Sequence, residues 1–271
     1  MFTFAEPRGL GFSWTARRLS GPDARDFLHR LTTVNARALE PGMHGARASW
    51  GFILTATGKV RAAFLVSCTG PDEFLLEYDA GPGREWDRAL VESIEQYTFA
   101  ERQELSSPLE QSCLWIFGAL PAGLESSGCL VVDHGALDFG RPWWTVWGAA
   151  DRLAAVQALA RPGEAGVAAA QLEEWRMQAV RPWFSRELGF DVMPLEVGLL
   201  DGIAQGKGCY PGQEVIERIL TQGAPPRRLA RLRAADGRIR LSMVRKNEAQ
   251  AGSVTRLEDG SEWTVEQCAA V

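Results

Sequence analysis

The residues with the clearest capacity for chemistry lie together in one stretch, Gly206-Lys207-Gly208-Cys209-Tyr210-Pro211-Gly212-Gln213-Glu214. Glycines on both sides of Cys209 permit tight backbone geometry and close approach by another molecule. Gln213 onward reads as a helix, with Glu214 and Arg218 spaced for an i,i+4 pair. Cys209 therefore sits shortly before a helix N-terminus and near Lys207, and both neighbours favour thiolate over thiol. Thiolate is the nucleophile and the metal ligand, so the expectation is a reactive thiol on a loop. A Glu214 carboxylate folded back onto the sulfur would offset that effect.

The remaining cysteines carry less. Cys68 and Cys113 lie in apolar strands and read as small buried hydrophobes. With Cys129 and Cys268 the chain has five cysteines and no CxxC pair, and its three histidines (His29, His44, His134) are scattered. A structural zinc site, a disulfide framework and a preformed set of cluster ligands are all excluded on spacing, so no metal site is expected.

The 271 residues are 46% hydrophobic and 23% charged, the balance of an ordinary globular protein. A net charge of -5 argues against a broad phosphate-binding surface, so no direct nucleic-acid interface is expected. No stretch approaches the roughly 20 apolar residues of a membrane span, and residues 1–14 lack a basic flank before an apolar run. The expected setting is cytoplasmic, with reduced thiols and no membrane partner. Most of the ten tryptophans should be core, with one or two left to line a pocket for a flat heterocycle.

Elements that could position the loop follow from pattern. Gly21-Pro22-Asp23 opens a helix whose apolar face is Ala24, Phe27, Leu28 and Leu31. Residues 46–56 and 60–68 read as two strands of a hairpin turning at Thr57-Gly58-Lys59. Strands are expected at 72–78, 113–117, 130–132 and 143–147, and helices at 84–97, 151–160 and 168–180. Arg161-Pro162-Gly163 should end the second of those helices. After Ala224-Pro225-Pro226 short strands take over (229–233, 238–244, 253–257 and 263–265). The interrupted order favours α+β over a doubly wound sheet. The boundaries expected are an α+β region over 1–225, in two subdomains, and a small β domain over 226–271.

Lys207-Gly208-Cys209-Tyr210-Pro211-Gly212-Gln213-Glu214 resembles the K-G-C-Y-x-G-Q-E signature of the YgfZ-type proteins, folate-binding relatives of the glycine-cleavage T-protein. Gly21-Pro22-Asp23-Ala24-Arg25-Asp26-Phe27-Leu28 is similar to the family's opening helix, and Gly58-Lys59-Val60 to its second hairpin. Residues 176–182, Pro194-Leu195-Glu196-Val197-Gly198-Leu199 and Ala251-Gly252-Ser253-Val254-Thr255 resemble further family segments in the right order. The resemblance implies a T-protein-like cloverleaf: two α+β units and a small C-terminal β barrel around a central channel that binds tetrahydrofolate or a folate derivative. It also implies a role in assembly, repair or maintenance of iron–sulfur enzymes, including those that modify tRNA, with these enzymes or their assembly machinery as partners.

The resemblance makes Cys209 and Lys207 the chemical pair and Tyr210 a wall of the pocket. Gln178, Glu187, Glu196, Trp175, Gln213 and Arg218 become candidates for holding the folate, with Trp183 a second ring for stacking. The aminomethyltransferases carry an acidic pair where this chain has Ala62 and Ala63, and Glu then Gly where it has Gln178 and Val180. Those departures oppose glycine-cleavage activity. Two other readings stay open: a folate-dependent one-carbon transferase, and a non-catalytic module that binds a different small molecule. Asp138-Phe139-Gly140 reads as a turn.

Overall fold

The structure is a computed structural model that describes residues 3–42, 44–136, 138–159 and 166–270. The first half begins with β1 (Thr3–Ala5), β2 (Trp14–Ser20) and α1 (Ala24–Leu31), then β3 (His44–Arg47), β4 (Ser49–Leu54), β5 (Val60–Gly70) and β6 (Glu73–Asp79). It closes with α2 (Glu85–Tyr97) and the short β7 (Glu104–Leu105). An antiparallel sheet in the order β4-β5-β6-β2-β7 forms from these strands. α1 packs on β6, and α2 lays Trp86, Leu90 and Ile94 against β5 and β6. This follows from period: alternating or continuous apolar runs make buried strands, and 3.6-residue spacing makes helices that cover one face.

A second sheet takes in β8 (Ser112–Phe117), β9 (Leu130–Asp133) and β10 (Trp143–Gly148). Its order is β1-β8-β10-β9-β3, with β3 running parallel to β9. α3 (Ala150–Gln157) packs on β8 and β10, and α4 (Ala169–Ala179) follows. The turn expected at Arg161-Pro162-Gly163 lies outside the described residues. One strand expectation is corrected here: residues 46–56 do not form a single strand. The chain passes at Ala48, whose amide bonds the Asp133 carbonyl at 2.7 Å, from the second sheet into the first. β1 and β2, which the pattern did not signal, are added.

α5 (Gln213–Gln222) leads into β11 (Arg227–Arg233), β12 (Ile239–Arg245), β13 (Val254–Arg256) and β14 (Glu262–Cys268). These four strands form an antiparallel sheet in the order β12-β11-β14-β13 over its own core of Leu232, Val244, Trp263 and Val265. It is anchored to the rest of the molecule by the Leu229 amide, 2.7 Å from the Glu196 carbonyl.

Aromatic rings fill the seam between the first two sheets. Trp14 meets Trp115 edge-on at 5.2 Å and stacks on Trp183 at 5.8 Å. Trp143, Phe139, Phe184 and Trp50 extend the block, Trp50 lying 5.3 Å from Phe184. Edge-on and offset contacts are the favoured geometries for such rings. Only Trp144 and Trp175 among the ten tryptophans are half-buried; the others are core, as expected.

Polar groups are sealed into the same seam. Trp147 Nε1 donates to Glu77 Oε1 at 2.7 Å, and His134 Nε2 lies 3.0 Å from the Thr145 hydroxyl and 3.4 Å from Glu77 Oε2. Burial raises the Glu77 carboxyl to about 7, against the opposing pull of the polar hydrogens that Thr145, Trp147 and Trp14 turn towards it. Burial lowers His134 to about 3. Both are therefore neutral between about pH 3 and 7, because each charged form is penalised more by lost solvation than helped by its neighbour. Asp138 sits in the expected turn but is fully buried, accepts from Trp50 Nε1 at 2.8 Å, and is raised by burial to about 6.

Candidate functional site

The Cys209 loop is held from two sides. On one side α5 docks on the β4–β5 turn, burying Ile216. Gly212 (φ 80°) starts that helix in left-handed geometry, and a Cβ there would stand 2.4 Å from the Thr55 carbonyl oxygen, so no larger residue fits. Gly58 (φ 75°) completes the fit across the interface, its Cβ position only 3.1 Å from Val215 Cγ1. On the other side α1 clasps the loop. His29 Nε2 bonds the Lys207 carbonyl at 2.7 Å, and Lys207 Nζ returns a hydrogen bond to the His29 carbonyl.

The clasp places the Lys207 amine 4.8 Å from the centre of the Tyr210 ring, a cation–π contact. Tyr210 is buried, its hydroxyl makes no hydrogen bond among the described residues, and burial pushes it up to about 12 with the Glu217 carboxylate adding to the effect. Burial lowers Lys207 to about 8; Cys209 pulls the other way, holding the proton on, and Arg37 repels it. At neutral pH the amine is mostly an ammonium, and it becomes a neutral amine just above. Cys209 itself is exposed, whereas Cys68 and Cys129 are buried and Cys113 and Cys268 are half-buried. Cys113 thus departs from full burial, although desolvation, followed by the Glu77 charge, pushes its thiol well up. The exposed sulfur, the ammonium and the start of α5 form one small chemical unit.

Gln213 belongs to this unit through the backbone, its amide donating to the Tyr210 carbonyl at 3.2 Å. The other candidates are committed elsewhere. Arg218 pairs with Glu214 at 2.9 Å on the exposed side of α5, the i,i+4 pair that the spacing predicts. Gln178 is exposed and donates to Glu174 at 3.1 Å. Glu187 takes Arg176 at 2.7 Å and the Trp183 amide at 3.2 Å. Glu196 is buried, forked onto Arg227 at 2.9 and 3.1 Å, and accepts the Met193 amide at 3.0 Å. Trp175 carries the Arg141 guanidinium on its ring at 3.6 Å. Trp183 is core.

Ala62 and Ala63 are buried near the start of β5, opposite Ile53 and Phe52. Because sides alternate along a strand, Ala63 shares the face of Phe52 and Trp50, the face covered by Phe184. Rings occupy the space an acidic side chain at that position would address. Val180 takes φ 51°, a left-handed geometry that suits glycine, although a buried β-branched residue stands there. Most of the pterin candidates are thus already engaged by partners within the chain.

Sequence reasoning missed His29 and Arg37. His29 bonds Lys207 and the Arg37 charge acts on it, each across more than a hundred residues of chain, and no local pattern marks such relations. Among the described residues no group of three His, Cys, Asp or Glu side chains could hold a metal ion. No helix is long and apolar enough to cross a membrane, again among the described residues.

Comparison with known proteins agrees on the fold. No family model matches the chain. It is 25% identical over 248 residues to the Arabidopsis thaliana protein named "Putative transferase At1g60990, chloroplastic", covering 79% of this chain and 53% of that protein. The chain spans about half the length of that relative. The crystal structure of glycine cleavage system aminomethyltransferase T from Bartonella henselae superposes with a TM-score of 0.75 over 100% of this chain and 85% of its own, at 15% identity. That match establishes an α+β fold of the aminomethyltransferase T type. A heterotetrameric sarcosine oxidase from Corynebacterium sp. U-96 covers 65% of this chain and 85% of its own at 16% identity, but its TM-score of 0.32 carries no argument.

Proposed function

We propose that this chain is a folate-linked accessory protein that supports iron–sulfur enzymes through assembly, repair or maintenance, with Cys209 as its working thiol. The observation that carries the reading is the Cys209 loop: of five cysteines only this one is exposed, and it stands beside a half-buried lysine at a helix start. Lys207 would steady developing thiolate charge, and Tyr210 would floor the site with its ring. His29 positions Lys207 by holding its backbone and its side chain. The cloverleaf with its C-terminal barrel, and the partnership with iron–sulfur enzymes or their assembly machinery, belong to the same proposal and draw on the signature.

A folate derivative is part of the proposal on the strength of the resemblance. Bound, it would supply one-carbon carrier chemistry. In this structure Glu187, Glu196 and Arg218 are already paired and Trp175 is covered on one face. The fold type favours a second reading, one-carbon transfer, but Ala62 and Ala63 can supply neither charge nor a hydrogen bond.

Complementation of a deletion strain tests the first reading. Wild type should restore a radical iron–sulfur enzyme's activity and Cys209→Ala should not; equal rescue by both removes the assigned role. Robust methylene transfer to tetrahydrofolate from an aminomethyl donor would move the second reading ahead. Calorimetry with folyl-polyglutamates speaks to the folate component, which fails if no heat of binding is seen.

A further inference from the structure

A cavity of about 440 Å³ lies between the end of β8 and the start of α4, walled by Phe117, Val167 and Trp175 and bordered by Arg141, Ala168 and Gln171. Its size is in the ordinary range for small-molecule sites, roughly 300–1,000 Å³. Three features give it a sign. Arg141 is half-buried, stacked on Trp175 at 3.6 Å, and its Nε is sealed from solvent with no hydrogen-bond partner. It forms no ion pair among the described residues, although a guanidinium always carries its charge. α4 opens beside it at Ala168, which has no side-chain oxygen to cap the first amides. Among the described residues no carboxylate lines the cavity; Glu174, on the same helix, accepts from Gln171 and Gln178 at 3.1 Å each.

An unpaired, partly desolvated guanidinium is costly, and stacking on a ring offsets only part of that cost. An anion seated against it would complete its hydrogen bonds, with the bare helix start adding to the attraction. The apolar walls call for a body that a bare inorganic ion lacks. We propose that this cavity binds a small organic oxyanion, with its carboxylate or phosphate head on Arg141 and the start of α4 and its apolar body against Phe117 and Val167. The site is separate in residues from the Cys209 loop and does not depend on the function proposed for that loop.

Calorimetry on the full chain tests this with benzoate, phenyl phosphate, inorganic phosphate and, as the neutral control, benzamide. Benzoate or phenyl phosphate should bind with a Kd below about 1 mM, and which of them is tighter assigns the head group. Inorganic phosphate should bind at least about tenfold more weakly than the better of the two, and benzamide likewise. Arg141→Met should weaken the better probe by at least about tenfold. Arg141→Lys, which keeps the charge and loses the flat stack, should fall between Met and wild type and serves if the Met variant does not fold. Absence of binding by both organic anions, equal affinity for benzamide, or unchanged affinity in the variants overturns the proposal.

Discussion

The Cys209 loop and the segment over residues 176–196 are both rich in groups that could meet a ligand, and they fare oppositely. The loop keeps its sulfur exposed and turns Lys207 and Tyr210 inward, where their contacts serve to fix the loop itself. The 176–196 segment commits its charges inward: Arg176 holds Glu173 and Glu187, and Glu196 holds Arg227. The difference teaches that polar residue type says little about availability. A carboxylate that has accepted two or three hydrogen bonds in a buried setting is structural, and a thiol between glycines with no partner remains open to chemistry.

The contrast is sharpest at Arg176, whose side chain is buried. Arg176→Met leaves Glu187 without its cation and should cost about 3 kcal/mol in urea unfolding. The alkylation rate of Cys209 should be unchanged in that variant; a stability loss below about 1 kcal/mol would erase the distinction between the regions.

The sealed carboxyl of Glu77 offers a pH test of comparable size. The folded chain keeps that proton up to about 7, while the unfolded chain releases it near the ordinary glutamate value of 4.5. Between those values the unfolded state binds fewer protons, so this group's contribution falls as pH rises. His134 acts in the opposite sense, its contribution being lost as pH falls from 6.5 towards about 3. Glu77→Gln removes only the first slope. The stability of the variant relative to wild type should therefore climb by about 3 kcal/mol from pH 4.5 to 7. A constant difference across that range would mean that Glu77 is not buried as described.

Glu196→Ala should cost about 2 kcal/mol, because the Met193 amide and Arg227 both lose their acceptor. Cys209→Ser should shift stability by no more than about 0.5 kcal/mol, as fits an exposed side chain with no structural duty. A larger loss there would move Cys209 into the company of Glu196.

The helices and most strands were legible because their periods are local: α2 and α4 lie within a residue or two of the expected spans, and α5 begins at Gln213 as expected. The break at Ala48 was not, since an apolar run looks the same whether its two halves join one sheet or two. The parallel pairing of β3 with β9 and the edge position of β1 rest on partners far along the chain. The same reason governs the site. Exposure of Cys209 followed from its glycines and the helix after it. The fate of Glu187 and Glu196 depended on arginines 11 and 31 residues away, and the His29 clasp on a contact across 178.

Timed alkylation of the native protein with iodoacetamide, read by peptide mass mapping in wild type and in Lys207→Met, tests the account most directly. Cys209 should react at least about tenfold faster than Cys113 or Cys268 and far ahead of Cys68 and Cys129, and should slow about threefold when Lys207 is replaced. Labelling of Cys209 no faster than the half-buried cysteines, or a rate indifferent to Lys207, would contradict it.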